Sequence, residues 1–171
     1  EYEHEGKVSV ADGDSPNVLY PHQEDAIKSL NKSIQDNKSF AGLLVIPTGG
    51  GKTLTAVYYL LKNYIDNNKK ILWIAHRYEL LEQALKTFKD NSYSNILKRN
   101  KTFSYRIISG MNDRPVNIKN NDDIIIASKD SLNLGLDYLI DKWIAHNKED
   151  IFFVIDEAHH AVAKTYRKII E

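Results

Sequence analysis

The sequence predicts an α/β domain built on a mostly parallel β-sheet with helices on both faces. Two observations carry this expectation. The strongest apolar segments are short and continuous rather than alternating, as strands buried on both faces must be. Between them run longer segments whose apolar residues recur every three to four positions, the signature of amphipathic helices. Strand and helix patterns alternate along the chain, and that order implies parallel strands joined by helical crossovers.

Residues 1–18 carry Gly6, Gly13, Ser15 and Pro16 with little apolar periodicity, and are expected to form a flexible leader. The folded domain is expected over residues 19–171. A first helix starts near Tyr20-Pro21, with Glu24 and Asp25 in its first turn and Ile27, Leu30 and Ile34 on one face, and ends near Asn37. Strands are expected at Leu43-Leu44-Val45-Ile46, Ile71-Leu72-Trp73-Ile74-Ala75, Ile124-Ile125-Ile126-Ala127 and Ile151-Phe152-Phe153-Val154-Ile155, with a weaker one at Tyr105-Arg106-Ile107-Ile108-Ser109. Three helical stripes fall between them: Leu54, Val57, Leu61 and Ile65; Leu80, Leu81, Ala84, Leu85 and Phe88; and Leu132, Leu136, Leu139, Ile140 and Trp143. The polar, Asn-rich segments 91–102 and 110–123 read as surface loops.

The 171 residues suit one domain, and 42% apolar with 27% charged residues is ordinary for a globular chain. Lys plus Arg equals Asp plus Glu at 23 each, so no net positive field announces a polyanionic partner; such contacts must come from local geometry. The absence of cysteine removes disulfides, thiol nucleophiles and Cys-based zinc sites. No apolar run approaches the ~20 residues of a membrane span, so a cytoplasmic protein without membrane contact is expected.

Chemistry concentrates where predicted strands end, the place where open α/β sheets collect ligands. The strand ending at Ile46 runs into Pro47-Thr48-Gly49-Gly50-Gly51-Lys52-Thr53 and then a helical stripe, the strand-loop-helix context of a P-loop. Glycines there let backbone N–H groups close around phosphate oxygens while the helix turns its positive end to the same anion. Lys52 would reach the β- and γ-phosphates of ATP, and Thr53 would offer a hydroxyl to Mg²⁺. The general pattern places Gly where Ile46 stands, so the first turn of this loop is expected to differ.

A second site candidate is Asp156-Glu157-Ala158-His159 at the end of the last strand. Adjacent carboxylates can divide the labour of phosphoryl transfer. Asp156 would hold the Mg²⁺ shell, directly or through water, and Glu157 would orient and deprotonate the attacking water. The bland alternatives are an acidic turn and, for His159 and His160, a zinc site that lacks the i, i+4 spacing.

With these residues in place the chain resembles the first RecA-like, P-loop NTPase domain of superfamily 2 helicases and translocases, of the branch that includes type III restriction subunits and DEAD/DEAH-box motors. The likeness spans about residues 19 to 165. It implies that Thr48 to Thr53 bind ATP, that Lys52, Asp156 and Glu157 are catalytic, and that His159 couples the two activities. Tyr20-Pro-His-Gln23 resembles the motif in which a glutamine reads adenine, which gives Gln23 that role. Ile71 to Arg77, Ser109-Gly110 and Ala127-Ser128 resemble strand-contacting motifs, which makes His76, Arg77, Ser109, Gly110 and Ser128 nucleic-acid contacts. Ser128 replaces the family's usual Thr. No Ser-Ala-Thr motif follows the box, and the resemblance implies a second RecA-like domain, carrying an arginine finger, elsewhere in the parent chain.

From the residues alone, Arg77 could equally pair with Glu79 or Glu82, and Tyr78 or Tyr105 could stack on a base. The leading expectation is an ATPase motor moving on DNA in preference to RNA, whose isolated first half binds ATP with little turnover. The alternatives are an ATP-switched nucleic-acid sensor or scaffold, an RNA helicase, and a P-loop ATPase acting on protein.

Overall fold

Successive side chains of a strand point to opposite faces, and in this chain both sets are apolar. A computed structural model shows where they go. It describes residues 5–13, 42–46, 52–75, 78–109, 118–147 and 150–156, and for 42–46, 52, 78, 133, 136 and 156 it describes the backbone. The first predicted helix, from Tyr20 to Asn37, lies outside the described residues.

The elements are β1 (Glu5–Ser9), β2 (Gly42–Ile46), α1 (Lys52–Asn63), a 3₁₀ turn (Ile65–Asn67), β3 (Lys70–Ala75), α2 (Tyr78–Asp90), β4 (Thr102–Ile108), β5 (Ile124–Ser128), α3 (Lys129–Leu134), α4 (Leu136–Leu139), a π-helical turn (Ile140–Ile144), α5 (Ala145–Asn147) and β6 (Ile151–Asp156). One six-stranded sheet runs in the order β1-β4-β5-β3-β6-β2. All neighbours are parallel except β1, which lies antiparallel to β4.

Ile71, Trp73, Ile124, Ile126, Phe152 and Val154 pack on one face under α1 and α2, against Val57, Leu60, Leu61, Leu81, Leu85 and Phe88. Their neighbours Leu72, Ile74, Ile125, Ala127, Phe153 and Ile155 pack on the other, under Leu132, Leu139, Trp143 and Ile144. The sheet is therefore covered on both sides, as the continuous apolar runs required.

Two expectations changed. Within the segment expected to be a flexible leader, residues 5–9 form the outer strand of the sheet. Only Val8 in it is buried, so its pattern is too weak to read as a strand without its partner β4. The third helical stripe is not one helix. Gly135 breaks it, its N–H bonding back to the carbonyls of Ser131 and Leu132, and the π turn that follows sets Trp143 so that its Nε1 donates to the carbonyl of Asp122 at 2.8 Å. A turn wider by one residue per bond gives the indole that aim.

Phe152 stacks at 4.6 Å on Tyr64, whose ring also meets Tyr59 at 5.8 Å. Burial, with the neighbouring Tyr59 adding to it, pushes the Tyr64 hydroxyl well above its ordinary 10.0. Burial raises Tyr59 too. A phenol kept neutral in the fold contributes stability that is complete below the unfolded pKa and is lost as pH rises through the folded one. The midpoint of thermal unfolding should therefore fall as pH climbs past about 10, and Tyr64→Phe, which keeps the ring, should flatten that fall.

Candidate nucleotide and nucleic-acid edge

The parallel register decides which predicted residues meet. Ile46 of β2 lies opposite Asp156 of β6, and Ile74 of β3 opposite Ile155. The strand that leads into the P-loop and the strand that ends in the acidic box are thus hydrogen-bonded neighbours whose carboxyl ends coincide. The backbones of these two strand ends lie one strand spacing, ~5 Å, apart.

The departure at position 46 finds its reason here. β2 runs through Ile46, a β-branched residue suited to a strand. α1 starts at Lys52, with Thr53, half-buried, as its second residue. Its first turn holds no acidic residue and its last turn holds Lys62. The cation complements the negative end of the helix dipole, and no acidic side chain of the first turn occupies the positive end. Thr48, Gly49, Gly50, Gly51, Glu157, His159 and Gln23 lie outside the described residues.

The other half of the same edge carries the predicted strand contacts. Ala75 of β3 lies opposite Ser128 of β5, and Ile108, the last residue of β4, opposite Ala127; Ser109 follows Ile108 in the chain as Ser128 follows Ala127. His76 and Arg77, which follow Ala75, and Gly110 are outside the described residues. The order along the edge is thus Ser109, Ser128, Ala75, Asp156, Ile46. The phosphate-binding candidates occupy one end and the nucleic-acid candidates the other.

Ser128 also has a local duty. It is the N-cap of α3, with extended backbone at φ −76 and ψ 146, and its hydroxyl oxygen accepts from the Ser131 N–H at 3.2 Å. A hydroxyl keeps one proton to donate while it accepts, so the cap and a phosphate contact are compatible. Ser109 is 7% exposed, which limits what its side chain can offer.

Tyr105 is corrected by the structure: it is 3% exposed and cannot stack on a base. Its ring lies under Lys89, with Nζ 4.8 Å from the centroid and 3.2 Å from the hydroxyl, and faces Gly6 across the β1–β4 pair. The side chain of Tyr78 is not described. His146 is exposed, as expected of a surface residue.

Sequence reasoning passed over a polar cluster behind this edge. Arg106, 2% exposed, donates from Nε to Asp122 Oδ2 at 2.8 Å and from Nη1 to Glu5 Oε2. Asp122 also accepts from the Lys119 N–H at 3.0 Å. The available signal was an arginine set inside an apolar strand, with an aspartate just ahead of the next strand. At the amino ends of the strands, Asp123 accepts from Lys70 Nζ at 2.8 Å and from the Ser104 N–H at 2.8 Å, which ties β3, β4 and β5 into one register. No helix among the described residues is long and apolar enough to cross a membrane, and no cluster of metal-ligating side chains occurs among them.

The family model described as "Type III restriction enzyme, res subunit" matches residues 17–171. A putative ATP-dependent helicase of Saccharomyces cerevisiae, IRC3, is 32% identical over 160 residues, covering 90% of this chain and 21% of its own length. The crystal structure of the UvsW helicase from bacteriophage T4 aligns with 95% of this chain and 61% of its own at 16% identity and a TM-score of 0.47, too low to carry an argument. The chain spans about a fifth of the length of the yeast relative. With the family model covering nine-tenths of the residues, the chain belongs to the type III restriction enzyme res-subunit family, as a helicase-like ATPase domain.

Proposed function

We propose that this chain is the ATP-binding half of a nucleic-acid motor, holding Mg²⁺-ATP at one end of the sheet edge and a nucleic-acid strand at the other. The observation that supports it is the register of Ile46 with Asp156, which joins the P-loop strand to the acidic strand. In this reading the backbone of Thr48 to Gly51 and the Lys52 ammonium bind the phosphates, and Gln23 reads the adenine. Thr53 and Asp156 would hold Mg²⁺, whose chemistry there is to neutralise charge on the phosphate oxygens. Glu157 positions the attacking water and takes its proton.

The nucleic-acid end would use His76, Arg77, Ser109, Gly110 and Ser128 to hold backbone phosphates, contacts that position a strand without reading its sequence. His159 would couple the two ends. A restriction-enzyme family favours DNA over RNA as the track. Closure on a second RecA-like domain of the parent protein would complete the site, since a motor cycle needs two lobes that ATP draws together and hydrolysis releases. The isolated chain should therefore bind ATP with little turnover, and the working protein is expected in the cytoplasm.

The test is the rate of ATP hydrolysis by the full-length protein with and without nucleic acid. Stimulation of at least about tenfold by DNA, and less by RNA, is the expected result for a DNA motor; tenfold in rate is ~1.4 kcal/mol of barrier. A low rate that neither nucleic acid changes would favour an ATP-switched sensor or scaffold instead.

A further inference from the structure

The segment 5–13 precedes the residues matched by the family model, yet its residues 5–9 pair with β4 and Val10, Ala11 and Gly13 bond to the segment 92–101. Residues Glu5 to Ser9 pair with Arg106 to Thr102. The guanidinium of Arg106, held from one side by Asp122, reaches across to the half-exposed carboxylate of Glu5. Gly6 lies so close to Tyr105 that a Cβ there would stand 3.0 Å from the phenol oxygen and 3.2 Å from the ring. Beyond the strand, Val10 N–H donates to the carbonyl of Lys101 at 2.8 Å and Ala11 N–H to that of Ser92 at 2.9 Å. Gly13, at φ 111, donates to Ser94 Oγ at 2.9 Å, in a backbone conformation that side chains rarely adopt.

We propose that this segment is a strap that holds β4 in the sheet and so positions Ser109, the residue that follows β4, for nucleic-acid contact, with Glu5 and Gly6 as positioning residues. The proposal rests on the nucleic-acid reading of Ser109. Without the strap, β4 would be the outermost strand, held by β5 alone, and edge strands open more readily than central ones. Ser109 follows three residues after Arg106, so fraying of β4 reaches it directly. The nucleotide end is remote: β6 lies three strand spacings from β4, ~14 Å, with β5 and β3 between. Loosening the strap should then weaken the strand end and spare the ATP end.

The test uses the whole chain and two variants that touch neither proposed site. Glu5→Lys sets a cation against Arg106, and Gly6→Val drives a branched side chain into Tyr105. Hydrogen exchange followed by mass spectrometry should show the β4 amides Arg106 to Ile108 exchanging at least roughly tenfold faster in both, with β6 amides unchanged. Affinity for a fluorescent single-stranded oligonucleotide should fall about tenfold, while affinity for a fluorescent ATP analogue holds. Glu5→Gln, which keeps an acceptor for Arg106, should behave like the wild type in every readout. Unchanged β4 exchange in both variants would overturn the strap, and so would equal losses of nucleotide and oligonucleotide affinity, the mark of a general loss of fold. Faster β4 exchange with undiminished oligonucleotide affinity would overturn the positioning role. Failure of the wild-type chain to bind the oligonucleotide would defeat the nucleic-acid reading and the positioning role with it, whereas the exchange pattern separately decides whether the strap fastens β4.

Discussion

Arg106→Ala should destabilise the domain by about 3–5 kcal/mol, measured as the shift in urea unfolding free energy, because it leaves a buried carboxylate without its counter-charge. Asp122 is 4% exposed and loses two hydrogen bonds from the guanidinium, at 2.8 and 3.4 Å, keeping the Lys119 N–H. An exposed ion pair would contribute less than about 1 kcal/mol and would not show such an effect. The burial of both partners is what makes the loss large. Removing both charges together, as Arg106→Met with Asp122→Leu, should cost much less than Arg106→Ala alone, since no charge is then left buried. A loss under about 1 kcal/mol for Arg106→Ala would mean that water reaches Asp122 and that the cluster is not closed.

Much of the fold was legible because buried parallel strands leave a plain mark. The four continuous apolar runs and the weaker one from Tyr105 became β2, β3, β5, β6 and β4, within a few residues of their expected bounds. The stripes from Leu54 and from Leu80 became α1 and α2. What failed did so for physical reasons. β1 buries one side chain, and its stability comes from pairing with a strand ninety-odd residues away, which no local pattern records. The third stripe matched helical spacing from Leu132 to Trp143, but periodicity does not register the break at Gly135 or the π turn that aims Trp143 at Asp122.

The candidate site was legible in a different way. The proposed P-loop and acidic box are local words, readable in order along the chain, and the register of β2 with β6 sets the strands that precede them side by side. The strand contacts are less local. Ser128 has the residue type expected but is also a helix cap, and Ser109 has the hydroxyl but little exposure, so a hydroxyl at the right place in sequence does not settle what it touches. Tyr105 shows the same limit: an aromatic on a strand is more often core than platform, and here a glycine and a lysine enclose its ring.

The second large effect is expected at Lys52. It opens a twelve-residue helix that has no acidic residue in its first turn, directly after the loop that follows β2. An ammonium on a phosphate is a charge-assisted contact, and losing one costs about 1.5–3 kcal/mol, equivalent to roughly 10- to 150-fold in affinity. The rest of the cradle, backbone N–H groups and helix end, is untouched by a side-chain substitution, so the variant should fold as the wild type does. Titration of the chain with a fluorescent ATP analogue in the presence of Mg²⁺ measures this directly. Lys52→Ala, at matched secondary structure and melting temperature, should bind the analogue at least about tenfold more weakly than the wild type. Equal affinity in the two folded proteins would contradict the assignment of this edge as an ATP site.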